Sequence, residues 1–310
     1  VLRLRRELAR RWIKSPPDVF VGIDAPDFNL GLEKKLRKAG IPTAHYVSPS
    51  IWAWRPGRVK KVKKAADTVL CILPFEPKLY EEHGIHAVFV GHPSAINTPG
   101  TIDVDGARRE LQIDAKTVVA VLPGSRLGEV GRVGGVVAEA AAAIRMARPD
   151  VGFVTPVAAP KLRPLIEEQL QAAGVSEHFT LVDGDSTQAM AAADVVLMAS
   201  GTAVLEAAML AKPAVATYKV AWLTHLIAIK LRLVKLTHYT LPNLLTEEPL
   251  VPEFMQDDAQ PQPIAEAVVK LLNSPQRRQS ISERFARLRA ELALDADQRA
   301  ADAVLELARP

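Results

Sequence analysis

The sequence predicts an α/β protein built as two doubly wound blocks with parallel sheets, on three observations. Its strand candidates are short and apolar throughout, helical stretches separate them, and a segment containing Pro and Gly (91–106) divides them into two groups. Strands covered on both faces carry such unbroken apolar runs, and helical crossovers between them make the sheets parallel.

The chain opens on VLRLRRELARRWIKS, a basic amphipathic helix already under way, with no initiator Met and no signal-peptide pattern. This reads as a fragment whose amino-terminal part is missing, so the first block is expected to be incomplete. After PPD comes the strand VFVGI (19–23), then a helix to Ala39 that Gly40 closes in the usual stop position. TAHYV (43–47), TVLCIL (68–73) and AVFVG (87–91) are the next strands. GHPSAINTPGTIDVDG (91–106) reads as a linker and sets a boundary near residue 98. Residues 1–98 then form a partial first domain, and residues 99–310 a second domain with a helical, charged tail from about Ile264. The second domain runs through TVVAVLPGSR (117–126), an alanine-rich helix to Ala147 and VGFVTPV (151–157). A helix ending near Gly174 follows, then FTLVDG (179–184), DVVLMAS (194–200), a helix from about Thr202 and PAVATY (213–218).

Composition narrows the class. A chain of 310 residues can hold two cores, and 48% hydrophobic against 24% charged residues describes a folded rather than a disordered protein. The net charge of +4 is small, no extended basic stripe runs along the chain, and no nucleic-acid partner is expected. The single cysteine, Cys71 in TVLCILP, excludes an internal disulfide and reads as a small buried hydrophobe. No apolar run approaches the ~20 residues a membrane span needs.

In open parallel sheets ligands bind beyond the carboxyl ends of the strands, and three polar clusters sit at such ends. In FVGIDAPDFN a strand stops at Asp24, a candidate general base whose plainer reading is a cap or turn residue. Asp27 is expected to N-cap the following helix. In LPGSR, the backbone at Gly124 and Ser125 can cradle a phosphate and Arg126 can fork onto it. A tight turn with a solvated arginine reads as well from these residues alone. In ASGTAVLEAAML, Ser200 and Gly201 leave a strand, Thr202 opens a helix, and Glu206 lies one turn on, within reach of ribose hydroxyls. Free N–H groups and the positive helix end there favour an anion, so a nucleotide diphosphate site is the better reading of the pair.

Two basic stretches are set beside apolar residues. SPSIWAWRPGRVKKVKK (48–64) joins Trp52 and Trp54 to Arg55, Arg58, Lys60, Lys61, Lys63 and Lys64. Its plain reading is a solvated helix face, and its functional reading is contact with acyl chains and headgroups at a membrane surface. WLTHLIAIKLRLVK (222–235) can pack inside the protein or rest on a membrane. His45 and His92 lie at strand ends but are not assigned to catalysis.

These segments, with HYVSPSIWAWR, LPFE, GHP and LPNLL, resemble the lipid-A-disaccharide synthase family over almost the whole chain. The resemblance implies two Rossmann-like domains of glycosyltransferase-B type and an inverting transfer. The donor would be UDP-2,3-diacylglucosamine and the acceptor 2,3-diacylglucosamine 1-phosphate, with UDP released, in the cytoplasm at the inner-membrane surface. It implies Asp24 as base and Gly124, Ser125, Arg126, Ser200, Gly201, Thr202 and Glu206 around the donor. Asn243 of LPNLL belongs to the same pattern and is expected near the donor. No metal and no cofactor is expected. A UDP-sugar epimerase of the same architecture and a fragment that binds UDP or membrane without turnover are the competing readings.

Overall fold

The computed structural model describes residues 2–52, 56–100, 102–220 and 238–308. The chain divides into two compact units, one formed by the residues up to Asn97 together with Ala290–Pro310, the other lying between Thr98 and Arg289.

In the first unit, strands β1 (Phe20–Ile23), β2 (Thr43–Tyr46), β3 (Thr68–Cys71) and β4 (His86–Phe89) form one parallel sheet in that order. All four residues of β3 are buried, and its core partners include Val62, Ala65 and Tyr80. Cys71 is fully enclosed, and burial pushes its thiol far above the ordinary range, as the plain reading of a small hydrophobe requires. The helix Pro26–Lys38 ends as predicted: Gly40 takes φ 83°, its N–H donates to Arg37 O, and Ile41 N–H donates back to Leu36 O.

Three expectations are corrected here. β1 is not a buried strand: it lies at the edge of the described sheet, only Gly22 is buried, and Ile23 is 63% exposed. Asp27 does not cap the helix, because Pro26 already occupies its first turn behind Ala25, and the Asp27 carboxylate pairs with Arg58 instead. The segment read as a linker holds the helix Pro93–Asn97 and the start of the helix Val104–Glu110, which Asp103 caps through Gly106 N at 2.8 Å.

The tail also departs from the expected division. His92 N–H donates to Leu292 O at 2.9 Å, and the helix Ala296–Ala308 packs on β2 and β3, so the last residues complete the first unit.

In the second unit, β5 (Thr117–Leu122), β6 (Val151–Val157), β7 (Phe179–Asp183), β8 (Val195–Ala199), β9 (Ala214–Tyr218) and β10 (Glu253–Met255) form a parallel sheet of order β10-β9-β8-β5-β6-β7. The order reverses between β5 and β8. There the chain has run outward through β6 and β7 and then crosses to the other side. β8 is buried along its whole length. The helix Leu127–Ala147 turns Val130, Val133, Val137, Ala141 and Ile144 inward, and part of this face packs with Leu162, Ile166 and Leu170.

Candidate active site

The reversal point of the second sheet gathers most of the predicted donor residues. β5 and β8 pair in parallel with Leu122 opposite Met198, so the turns that leave their carboxyl ends, Gly124–Arg126 and Ser200–Thr202, lie side by side. Such a reversal opens a crevice at the strand ends. Gly124 takes φ 123°, and a Cβ there would meet Glu129 Cβ at 2.8 Å, so both conformation and space require glycine. Ser200 N–H is fixed to Thr217 O at 2.8 Å, Gly201 precedes the helix Thr202–Met209, and both Gly201 and Thr202 are exposed. Glu206 is half-buried one turn along.

Arg126 is 81% exposed along its side chain and does not stand free. Its Nη1 donates to Glu129 Oε1 at 2.9 Å, while Glu129 Oε2 accepts from Ser125 N–H at 3.2 Å. A carboxylate of the protein therefore engages the same two donors that the sequence assigned to a phosphate.

In the first unit, Asp24 caps the end of β1 as an exposed residue, and its N–H donates to Tyr46 O at 2.8 Å. Asp24 and Ala25 are both left-handed, at φ 48° and 42°, and Val47 at the neighbouring strand end has φ 71°. Non-glycine residues in this region each cost about 1–3 kcal/mol, and such strain collects at functional positions. Asn29 holds the turn from behind: its Nδ2 donates to Ile23 O at 3.0 Å and to Asp24 O at 2.8 Å.

Four helical residues beyond Asn29, Glu33 is wholly buried and bonded to His45 Nδ1 at 2.7 Å. Burial raises the Glu33 carboxyl above its ordinary range, opposed by the bond to His45. Glu33 Oε2 and His45 Nε2 have no hydrogen-bond partner among the described residues. Gly22 of β1 makes the room, since a Cβ there would lie 1.9 Å from Glu33 Oε1.

The family model for lipid-A-disaccharide synthetase matches residues 1–307. Curated lipid-A-disaccharide synthases of Alkalilimnicola ehrlichii and Hahella chejuensis are 47% and 48% identical to this chain, each over 99% of it, and the matches span 81% and 77% of those proteins. This chain belongs to the lipid-A-disaccharide synthase family.

Its fold is that of glycosyltransferase-B proteins, as the resemblance implied. Anabaena HepE in complex with UDP aligns with TM-score 0.65 at 13% identity, covering 98% of this chain and 82% of that one. The UDP-GlcNAc 2-epimerase of Neisseria meningitidis aligns with TM-score 0.60 at 13% identity, covering 97% and 80%. At that identity the likeness speaks for architecture alone.

Among the residues that the resemblance implied, Asn243 has a distinct setting. It is 4% exposed, its Nδ2 donates to Val251 O and Glu253 Oε1, and its Oδ1 accepts from Leu250 and Val251 N–H. Both amide hydrogens and both carbonyl lone pairs are thus engaged within the protein. Glu253 also accepts from Thr240 N–H and its hydroxyl, tying the short helix Leu241–Leu245 to β10. A groove of about 940 Å³ lies beside this loop, lined by His238, Asn243, Glu253 and Lys270, and it does not include the turns at the sheet reversal.

Trp52 is half-buried: its indole N–H donates to Glu76 at 3.1 Å and its ring meets Phe75 edge-on. Glu76 of LPFE is 2% exposed, with its carboxyl raised by burial and held down in part by hydrogen bonds from Ser48, Trp52 and the backbone. Trp52 is therefore a packed residue of the first unit, while Lys60, Lys61 and Lys64 are exposed. Trp54, Arg55 and the segment 222–235 lie outside the described residues.

Glu33, Glu76, Glu129 and Glu253 were not singled out by sequence reasoning. Glu33 did carry a signal, since it interrupts an apolar stripe between Leu30 and Leu36 at helical spacing.

Proposed function

We propose that this protein transfers the 2,3-diacylglucosaminyl group of UDP-2,3-diacylglucosamine to the 6-hydroxyl of 2,3-diacylglucosamine 1-phosphate. The acceptor oxygen bonds the anomeric carbon as the bond to the UDP oxygen breaks, and Asp24 takes the hydroxyl proton. UDP leaves as a diphosphate, whose charge Arg126 and the N–H groups of Gly201 and Thr202 stabilise, while Ser200, its own N–H held by Thr217 O, sets the turn beside Gly124 and Ser125. Glu206 receives the ribose hydroxyls. Asn243, with its polar atoms engaged, shapes the loop beside the donor rather than touching it.

The observation that carries this reading is the pair of anion-suited turns at the reversal of the sheet, in a chain matched to the family along its length. The test is disaccharide formation and UDP release from the two acylated substrates, using the protein expressed from its complete reading frame. Asp24→Asn keeps the shape and removes the basicity, so turnover should fall about 10²- to 10⁴-fold with UDP affinity unchanged. Near-normal turnover in Asp24→Asn would move the base elsewhere, and epimerised UDP-sugar in place of disaccharide would replace the transferase reading.

The acceptor is a lipid, so the protein works at the cytoplasmic face of the inner membrane. No helix among the described residues is long and apolar enough to cross a membrane. The exposed Lys60, Lys61 and Lys64 support surface attachment, each basic side chain contributing about 1 kcal/mol near anionic lipid. Binding to anionic vesicles should weaken with salt, and salt-independent binding to neutral vesicles would refute the electrostatic part.

A further inference from the structure

We propose that Asn29 is a positioning residue for the acid–base step, acting through Asp24 and resting on the assignment of Asp24 as base. The turn that presents Asp24 is built from two consecutive left-handed non-glycine residues, Asp24 and Ala25, a conformation the backbone does not hold unaided. One side chain spans both peptide groups on either side of the base. The two hydrogens of Asn29 Nδ2 go to Ile23 O and Asp24 O, the carbonyls on either side of the Asp24 Cα.

The carboxamide has its own anchor. Asn29 N–H donates to Ala25 O at 3.0 Å, and Phe28 N–H donates to the same oxygen at 2.9 Å, so the first turn of the helix is closed onto the presenting turn. Asn29 Cβ would lie 3.1 Å from a Cβ at position 22, and only glycine there lets the helix sit this close to β1. From the other side Tyr46 O receives Asp24 N–H at 2.8 Å. Asp24 is thus clamped at its N–H and its C=O, while among the described residues its carboxylate makes no hydrogen bond and stays exposed for a proton. Without Asn29 the strained turn can relax toward ordinary backbone angles, and the carboxylate swings with it. Displacement of a reacting group by about 1 Å costs roughly 10²-fold in rate.

The test is a double-variant cycle of Asn29→Ala with Asp24→Asn, in the protein expressed from its complete reading frame. Asn29→Ala should lower kcat about 10- to 100-fold, with the UDP dissociation constant within about twofold of the parent. In the Asp24→Asn background the same substitution should cost less than about threefold, since the group it aims is gone. Full activity in Asn29→Ala, an equal loss in both backgrounds, or a matching loss of UDP affinity each overturns the proposal. If Asp24→Asn itself keeps turnover, the base assignment fails and the role of Asn29 falls with it, an outcome visible in the single variant. Asn29→Leu keeps the side-chain volume and should behave as Asn29→Ala does. If neither folds, seen as loss of the native tryptophan emission of the first unit, Asn29 is a folding residue and the proposal is wrong.

Discussion

Adding one methyl group to Gly22 should destabilise the first unit by about 2–3 kcal/mol. The new Cβ would lie 1.9 Å from Glu33 Oε1 and 3.0 Å from its Cδ, well inside van der Waals contact. Two escapes exist. If Glu33 gives way, it breaks a fully buried bond to His45, and disrupting such a pair costs about 3–5 kcal/mol. If β1 moves off the helix instead, the cost is that of an overpacked core, about 1–3 kcal/mol. The cheaper route wins, so the upper half of the second range is expected. Trp12 reports the change directly, because its ring lies tilted against Phe20 of β1 at 5.0 Å between centroids. Urea unfolding followed by tryptophan emission should show the loss in Gly22→Ala. In a Glu33→Ala background the same methyl still meets Asn29 Cβ at 3.1 Å but no carboxylate, so its cost should fall by about 1 kcal/mol or more. A loss below about 0.5 kcal/mol, or an equal loss in both backgrounds, would refute the steric argument.

Two further outcomes follow from charges. Glu129→Gln should tighten UDP binding about three- to tenfold by calorimetry, because it frees Arg126 and Ser125 N–H from a competing carboxylate and removes a like charge beside the diphosphate. Weaker binding would make Glu129 the residue that aims Arg126. Lys212 is 8% exposed, donates to Ala191 O and Ala193 O, and is lowered by burial from 10.5 to about 8. Between those values the unfolded chain holds a proton that the folded one has lost, so stability rises with pH. The contribution is complete above 10.5 and gone below about 8. Relative to Lys212→Met, the parent should gain roughly 3 kcal/mol across that window, read by urea unfolding. A flat difference would show that Lys212 stays charged in the fold.

The wholly apolar strands and the glycine stop at Gly40 were legible because each is a local demand: a strand covered on both faces, a chain end needing left-handed backbone. The two turns at the sheet reversal were legible for the same reason, since Gly124 and the Ser200–Thr202 exit state their place at the strand ends within a few residues. β10 was missed because it has three residues, one of them the charged Glu253, and depends on β9 for its pairing. Asp27 was misread because Pro26 takes the helix start, while its true partner Arg58 is remote in sequence. The pairing of Glu33 with His45 joins a helix to a strand, and only packing reveals that Gly22 leaves it space. Glu129 lies three residues from Arg126, yet the pattern read for a phosphate held no sign that a carboxylate already occupies both donors.

The closure of the first unit by the last residues of the chain bears on how the protein is made. Segments usually fold in the order in which they leave the ribosome, the amino-terminal ones first. Here β2 and β3 wait for the helix Ala296–Ala308, and His92 waits for Leu292, so the first unit is finished only after the second has been made. The six-stranded sheet of the second unit, whose strands all lie before Gln256, is complete sooner. A nascent chain stalled after Arg289 should therefore bind UDP, as proposed, before it can hold Asp24 in place, and a deletion of residues 290–308 will be felt first at the β1–β4 sheet.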